Sequence, residues 1–140
     1  MLTFNATQAR SEWSAVCDTV IRDKPVLIKR VRDYMFLADA SLLDELLSAY
    51  SFHAELFTED NGSVTISLDE FDLVENGSNE QEAVQILAAS ILEYAEDFYS
   101  DFPYWARGDR KAHTPYVVKV LILNDIQKIG GLIVCRHGGI

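Results

Sequence analysis

The residues from Phe4 to Tyr50 constrain this chain most, because the hydrophobic period changes repeatedly within them. After a short strand, Asn5 is placed to cap a helix, with Gln8 three residues on to reach back. Ala6, Ala9, Trp13, Val16, Cys17 and Val20 recur at helical spacing, which predicts one helix with a continuous apolar face. Pro25 opens an alternating, β-branched run that reads as a hairpin strand, with Lys29, Arg30 and Arg32 near its tip. From Ser41, the residues Leu42, Leu43, Leu46, Leu47 and Tyr50 give a second helix one apolar face, with Asp39 or Ser41 as its cap. That face is expected to pack on its own hairpin, and it could also line a contact between two copies. So short a module buries little core, and pairing with a second copy is the commonest remedy. A paired module with cations on its hairpins is suited to clamping DNA.

This stretch resembles the N-terminal domain of Phd/YefM antitoxins, the DNA-binding members of bacterial toxin–antitoxin pairs. The family opens with a hydrophobic residue, a polar one, Ala, Ser/Thr, Glu and Ala-Arg, then an aromatic, Ser and a hydrophobic pair. Phe4, Asn5, Ala6, Thr7, Gln8, Ala9, Arg10, Trp13, Ser14, Ala15 and Val16 stand in those places, followed by Pro25-Val26-Leu27-Ile28 and Arg30. The chain departs from the pattern at Gln8, where Glu is usual. It departs again at Val31-Arg32-Asp33-Tyr34, where the family's turn carries a glycine that relieves a positive φ. The resemblance implies a β-α-β-β-α dimerisation module over residues 1–50. It also implies operator contacts from Asn5, Thr7, Arg10, Lys29, Arg30 and Arg32, the arginines matching phosphate or guanine. On spacing alone, the same cations could simply blunt an exposed hairpin edge.

Charge divides the chain into three blocks. Residues 1–50 carry six Lys/Arg against seven Asp/Glu, residues 51–106 carry thirteen Asp/Glu and no Lys or Arg, and residues 107–140 carry six cations against two acids. A net charge of −10 argues against indiscriminate coating of nucleic acid. The middle block can be read as a solvated face or as a surface seeking a cationic partner.

Within that block the period becomes two. Phe52–Phe57 and Val64–Leu68 flank Asn61-Gly62, a strong hairpin signal, and Phe71–Val74 is expected as a third strand. Ser78 or Asn79 then caps a helix carrying Ala83, Ile86, Leu87, Ile91, Tyr94, Ala95 and Phe98. The unit from Phe52 to Tyr99 resembles HicB antitoxins, whose hairpin precedes a helix opening with E-E-A. Here the run Asn76-Gly77-Ser78-Asn79-Glu80-Gln81-Glu82-Ala83 fills that role, while the group's glycine-proline turn is missing. The fold expected overall is α+β: a Phd/YefM-like module over 1–50, then a HicB-like small antiparallel sheet plus helix within 51–140.

Beyond the helix, Phe102, Tyr104 and Trp105 read as an irregular aromatic loop, open to a core role or to a partner-anchoring one. Thr114-Pro115 opens a run through Leu123 taken as helix, although its β-branched residues suit a buried strand equally. Asp125 can cap a short turn ending at Gly130-Gly131, and Leu132-Ile133-Val134 reads as a strand.

Cys17 and Cys135 are distant in sequence and are expected to be reduced and buried, which fits a cytoplasm. Cys135 and His137, with His53 and His113, make too sparse a set for zinc, so no metal or cofactor is expected. Asp69, Glu70 and Asp72 could bind a metal in a nuclease, but no second acidic cluster accompanies them, nor any nucleotide loop or nucleophile elbow, so no enzyme is expected. No apolar run approaches membrane-spanning length, no secretory leader is expected, and the triplets at Asn5, Asn61 and Asn76 would then not be glycosylated.

The sequence therefore points to a cytoplasmic homodimer, or a higher even oligomer, with two partners. Operator DNA would meet the first module. A cognate protein toxin, a small basic ribonuclease, would meet Phe102, Tyr104, Trp105, Asp69, Glu70 and Asp72. The rival is a HicB-like neutraliser whose front module only dimerises.

Overall fold

The computed structural model describes residues 1–138, and the chain is mixed α+β, dividing into two compact units, Met1–Leu46 and Leu47–Ile140.

In the first unit a three-stranded sheet has the order β1 (Thr3–Asn5), β2 (Val26–Arg30), β3 (Asp33–Leu37). Strands β1 and β2 are parallel, with Asn5 opposite Lys29, so a helical crossover must join them. The crossover is two helices, α1 (Ala6–Ser11) and α2 (Trp13–Arg22), where the periodicity predicts one. The break falls at Glu12, beside Ser11, whose hydroxyl donates to the Gln8 carbonyl at 3.0 Å and so competes for the acceptor of the Glu12 amide. Trp13, expected on the buried face, is 50% exposed. Asn5 caps α1 as expected, accepting from the Gln8 amide at 2.7 Å.

The core of this unit is Ala9, Val16, Val20, Val26 and Ile28, edged by Phe4, Ala6 and Leu37. Helix α3 (Ala40–Leu46) adds nothing to it, contrary to the expectation that its leucines pack on the hairpin. The sheet face bearing Val26 and Ile28 is already filled by α1 and α2, and Leu46 is left exposed. At the hairpin tip Val31 takes φ 56°, the left-handed conformation that the expected glycine would have accepted freely.

In the second unit the sheet order is β6 (Val74–Gly77), β5 (Val64–Leu68), β4 (Phe52–Thr58), β7 (Ile133–His137). The meander β4-β5-β6 is antiparallel, turning at Gly62 with φ +85°. Strand β7, however, runs parallel to β4, so the sheet is mixed rather than antiparallel. The long helical excursion between β6 and β7 permits that arrangement, since parallel strands need a crossover. The third strand starts at Val74, not Phe71. Phe71 is instead a buried plug whose ring lies 5.4 Å from that of Phe52 and 4.3 Å from that of Tyr94.

Helix α4 (Glu80–Ser100) crosses one face of the sheet and buries Ala83, Leu87, Ala88, Ile91, Ala95 and Phe98. Asn79 caps it through the Glu82 amide at 2.9 Å, and the Glu82 carboxylate reaches back to the Ser78 hydroxyl at 2.7 Å. The residues expected as an aromatic loop form helix α5 (Phe102–Arg107), with Pro103 in its first turn, where a missing N–H costs nothing. A 3₁₀ turn, Lys111–His113, leads to α6 (Thr114–Leu123), which is helical as taken, and Asp125 caps α7 (Ile126–Gly131). Cys135 is exposed rather than buried because β7 lies at the sheet edge, and Cys17 is half-buried; both are free thiols.

A Cβ at Gly77 would sit 2.5 Å from the Ala83 amide nitrogen, so the backbone of β6 touches the start of α4 only because this residue is glycine. Gly77→Ala is expected to cost about 2 kcal/mol or more in urea unfolding. Val31→Gly should do the reverse. Relief of roughly 1–2 kcal/mol of left-handed strain exceeds the ~0.5–1 kcal/mol entropic penalty of glycine, so the first unit's midpoint rises, read from Trp13 fluorescence in a Trp105→Phe background.

Candidate functional site

Register places the first cluster. Because Asn5 lies opposite Lys29, the start of α1 stands beside the end of β2, and a cleft of about 540 Å³ opens between them. Asn5, Thr7, Arg10, Lys29 and Arg30 line it, together with Ala6 and Val31. Arg32 sits in the turn and is not among the lining residues. All of these polar residues are exposed. Arg10, Lys29, Arg30 and Arg32 take part in none of the ion pairs among the described residues, and the first unit's pair, Lys24 with Asp23 at 3.9 Å, lies elsewhere. Lys29 is steadied by the Tyr34 ring, 5.5 Å from its Nζ. The Asn5 side-chain oxygen is committed to capping, which makes that residue a helix start first. The remaining forks and ammonium group converge on a concave surface, an arrangement suited to phosphate oxygens.

A second feature of this unit is apolar. Tyr34, Met35 and Phe36 on β3 are all about half exposed, and a cleft of about 410 Å³ lies among Ala9, Trp13, Ile28 and Met35. The signal was present: Tyr34-Met35-Phe36-Leu37 is a continuous apolar run, the pattern of a strand covered on both faces.

In the second unit the six residues singled out for a toxin part company. Asp69 accepts two hydrogen bonds from the Arg136 guanidinium, at 2.9 and 3.0 Å, and these hold its carboxyl below the usual carboxylate range. Glu55 lies 3.6 Å from the same guanidinium. Glu70 accepts from the His53 backbone amide at 2.7 Å and faces the His53 ring at 2.9 Å. Asp72 is exposed and takes part in no ion pair among the described residues. The acidic block therefore finds a counter-cation after all, delivered by β7.

The aromatics lie on α5. Phe102 and Trp105 are half-buried at the margin of the core, and Tyr104 is 66% exposed with its ring edge-on to Trp105 at 4.9 Å. Arg110 stacks on Trp105 at 5.4 Å and donates to the Tyr94 hydroxyl at 2.8 Å. Tyr94 in turn meets His113 Nδ1 at 2.6 Å. Burial first, and the neighbouring Arg110 second, push His113 below its ordinary pKa. His137 pairs with Glu80 at 2.6 Å. Among the described residues no group of three or more His, Cys, Asp or Glu could hold a metal ion, and no helix is long and apolar enough to cross a membrane.

Comparison with known proteins bears on the whole of this arrangement. No curated protein matches the chain. A crystal structure from Syntrophomonas wolfei subsp. wolfei, described as an antitoxin part of a proposed toxin/antitoxin system, is similar along the entire length. It shares 41% identity at a TM-score of 0.91, covering 99% of this chain and 100% of that one. The family model PHD_like, antitoxin of toxin-antitoxin, RelE / RelB, TA system, matches residues 1–135. With its two sheets, its cation-lined cleft and that match over nearly all its residues, the chain belongs to the PHD_like antitoxin family.

Proposed function

We propose that this antitoxin is a cytoplasmic homodimer, or a higher even oligomer, that represses its own operon and neutralises a basic ribonuclease. The first unit, read as Phd/YefM-like over residues 1–50, holds operator DNA through Arg10, Lys29 and Arg30, with Asn5, Thr7 and Arg32 alongside. The second, read as HicB-like over residues 51–140, covers the toxin with Phe102, Tyr104, Trp105 and Asp72. Asp69 and Glu70, already paired within the fold, contribute there by shaping the surface. Membership of the family makes a toxin the natural partner. No catalytic step, metal or cofactor enters this reading.

The observation that carries the DNA assignment is the convergence of Arg10, Lys29 and Arg30 on one cleft while none of them is held by a carboxylate. Cations kept free of the chain's own acids are available to phosphates, and each one engaged releases counterions. The dimer rests on the half-exposed Tyr34, Met35 and Phe36 and on the exposed Leu46, apolar surface that a 46-residue unit leaves without cover. A second reading, toxin neutralisation by a front unit that only dimerises, is favoured by the net charge of −10.

Mobility shift with the chain's own promoter separates the two readings. Arg10→Ala and Arg30→Ala are each expected to weaken binding by about 1–3 kcal/mol, and loss of one phosphate contact should flatten the salt slope by about 1. Equal shifts for wild type and both variants would move the DNA contact away from this cleft, and no shift by the wild type would remove DNA from the account. Tyr34→Lys with Phe36→Lys is expected to halve the mass seen in sedimentation and to abolish the shift; an unchanged mass places the dimer contact elsewhere.

A further inference from the structure

Beside the last turns of α4, a groove of about 480 Å³ runs between that helix and α6, lined by Tyr99, Phe102, Val118, Leu121 and Ile122. None of the five is fully buried, and Tyr99 is 65% exposed. The groove is open because α4 spends its other side on the sheet, burying Ile91, Ala95 and Phe98 there.

The charges around it are arranged against the interest of the fold. Glu93, Glu96 and Asp97 lie in the last turns of α4 and Asp101 follows directly, all exposed. None of these four carboxylates enters an ion pair among the described residues, and the last turn of α4 carries no base. Carboxylates at a helix C-terminus oppose the helix dipole. Glu93 and Asp97 are also like charges four residues apart within α4, a spacing that destabilises a helix. Solubility needs surface acids, but it does not need them crowded at the wrong end of the longest helix. Glu96 and Tyr99 are three apart on α4 and so share a face, which sets this charge beside the apolar groove.

We propose that this groove receives a segment of the cognate toxin in which apolar anchors are flanked by lysines or arginines. The inference rests on the antitoxin reading of the second unit and gives it a location. Charge complementarity selects the occupant. A nucleic acid would be repelled by the carboxylates at this helix end, and so would the same helix end of a second copy, which brings the same acids. A cationic segment meets Glu96 and relieves the dipole conflict at the end of α4, while Tyr99 and Phe102 take its apolar side chains, as aromatic anchors do at protein interfaces.

The test uses the full chain and, as probe, the protein encoded by the adjoining reading frame, with affinity measured by calorimetry at low and moderate salt. Glu96→Lys, and separately Tyr99→Ser, are each expected to weaken binding at least about 30-fold, the scale of an interface hot spot. The charge reversal should also abolish the salt dependence and raise the thermal midpoint by a few degrees, because it satisfies the helix end. That opposition, tighter fold and weaker complex, is the signature of acids kept for a partner. Wild-type binding with both variants within about threefold overturns the groove assignment and leaves the antitoxin reading standing. Loss of binding together with a lowered midpoint assigns the acids to folding and also overturns it. A changed sedimentation mass gives the groove to a second copy, with the same effect. No binding by the wild type removes both readings together.

Discussion

The second unit depends on one helix keeping a narrow apolar stripe. α4 meets the sheet through Leu87, Ile91 and Phe98, each contributing about 1.5–3 kcal/mol by leaving water. Between them stand Ala83, Ala88 and Ala95, small enough to bring other backbone close. Ala83 lies against Gly77 at the end of β6, and a Cβ on Gly130 of α7 would come within 3.9 Å of Ala88. With α6 and α7 laid against α4, the chain leaves α7 at the right edge for β7 to join β4 in parallel. Only then does Arg136 reach Asp69 and Glu55. An ion pair between residues 67 positions apart is thus a product of helix packing.

The first unit obeys the opposite constraint. Its five buried side chains are all aliphatic, and three of them are valines. A core of that size in 46 residues is close to the lower limit for independent folding. The unit nevertheless leaves Trp13, Tyr34, Met35, Phe36 and Leu46 at 46–61% exposure. It also carries the left-handed Val31 at its hairpin tip, a strain that a richer core would more easily absorb. Half-exposed large side chains beside a minimal core are the surface on which the proposed pairing of two copies rests.

These differences explain what the sequence could and could not disclose. Elements governed by local chemistry were legible: the caps at Asn5, Asn79 and Asp125, the Asn61-Gly62 turn, and the helical entry at Thr114-Pro115. Two misplaced features were decided by partners distant in the chain. Phe71 left its strand to fill space between Phe52 and Tyr94, and β7 paired in parallel because α4 to α7 carried it to the far edge of β4. Helical periodicity likewise could not reveal the break at Glu12, where a serine hydroxyl takes a share of the Gln8 carbonyl. In the candidate cleft, Arg10 and Arg30 could be named from residue type, but that they meet across the register of β1 with β2, and that Arg32 does not join them, is a fact of pairing.

Charge makes the same point more sharply. In the sequence, residues 51–106 are a uniform acidic tract. Folding sorts that tract into carboxylates the structure uses and carboxylates it does not. Asp69 and Glu70 are bound by Arg136 and His53, Glu75 accepts from Ser90 at 2.6 Å, Glu80 pairs with His137, and Glu82 is drawn back to Ser78. Those acids lie on the sheet or at the start of α4, where negative charge meets cations, hydroxyls or helix amides. Glu55 faces Arg136 as well, Glu59, Asp60 and Asp72 stand in loops, and Glu93, Glu96, Asp97 and Asp101 gather at the end of α4, where the helix itself supplies negative charge. A count of acids treats the two groups as equal. Their energetics differ in sign, because the first group stabilises the unit that carries it and the second strains it, so only the second is free to be stabilised by something outside the chain.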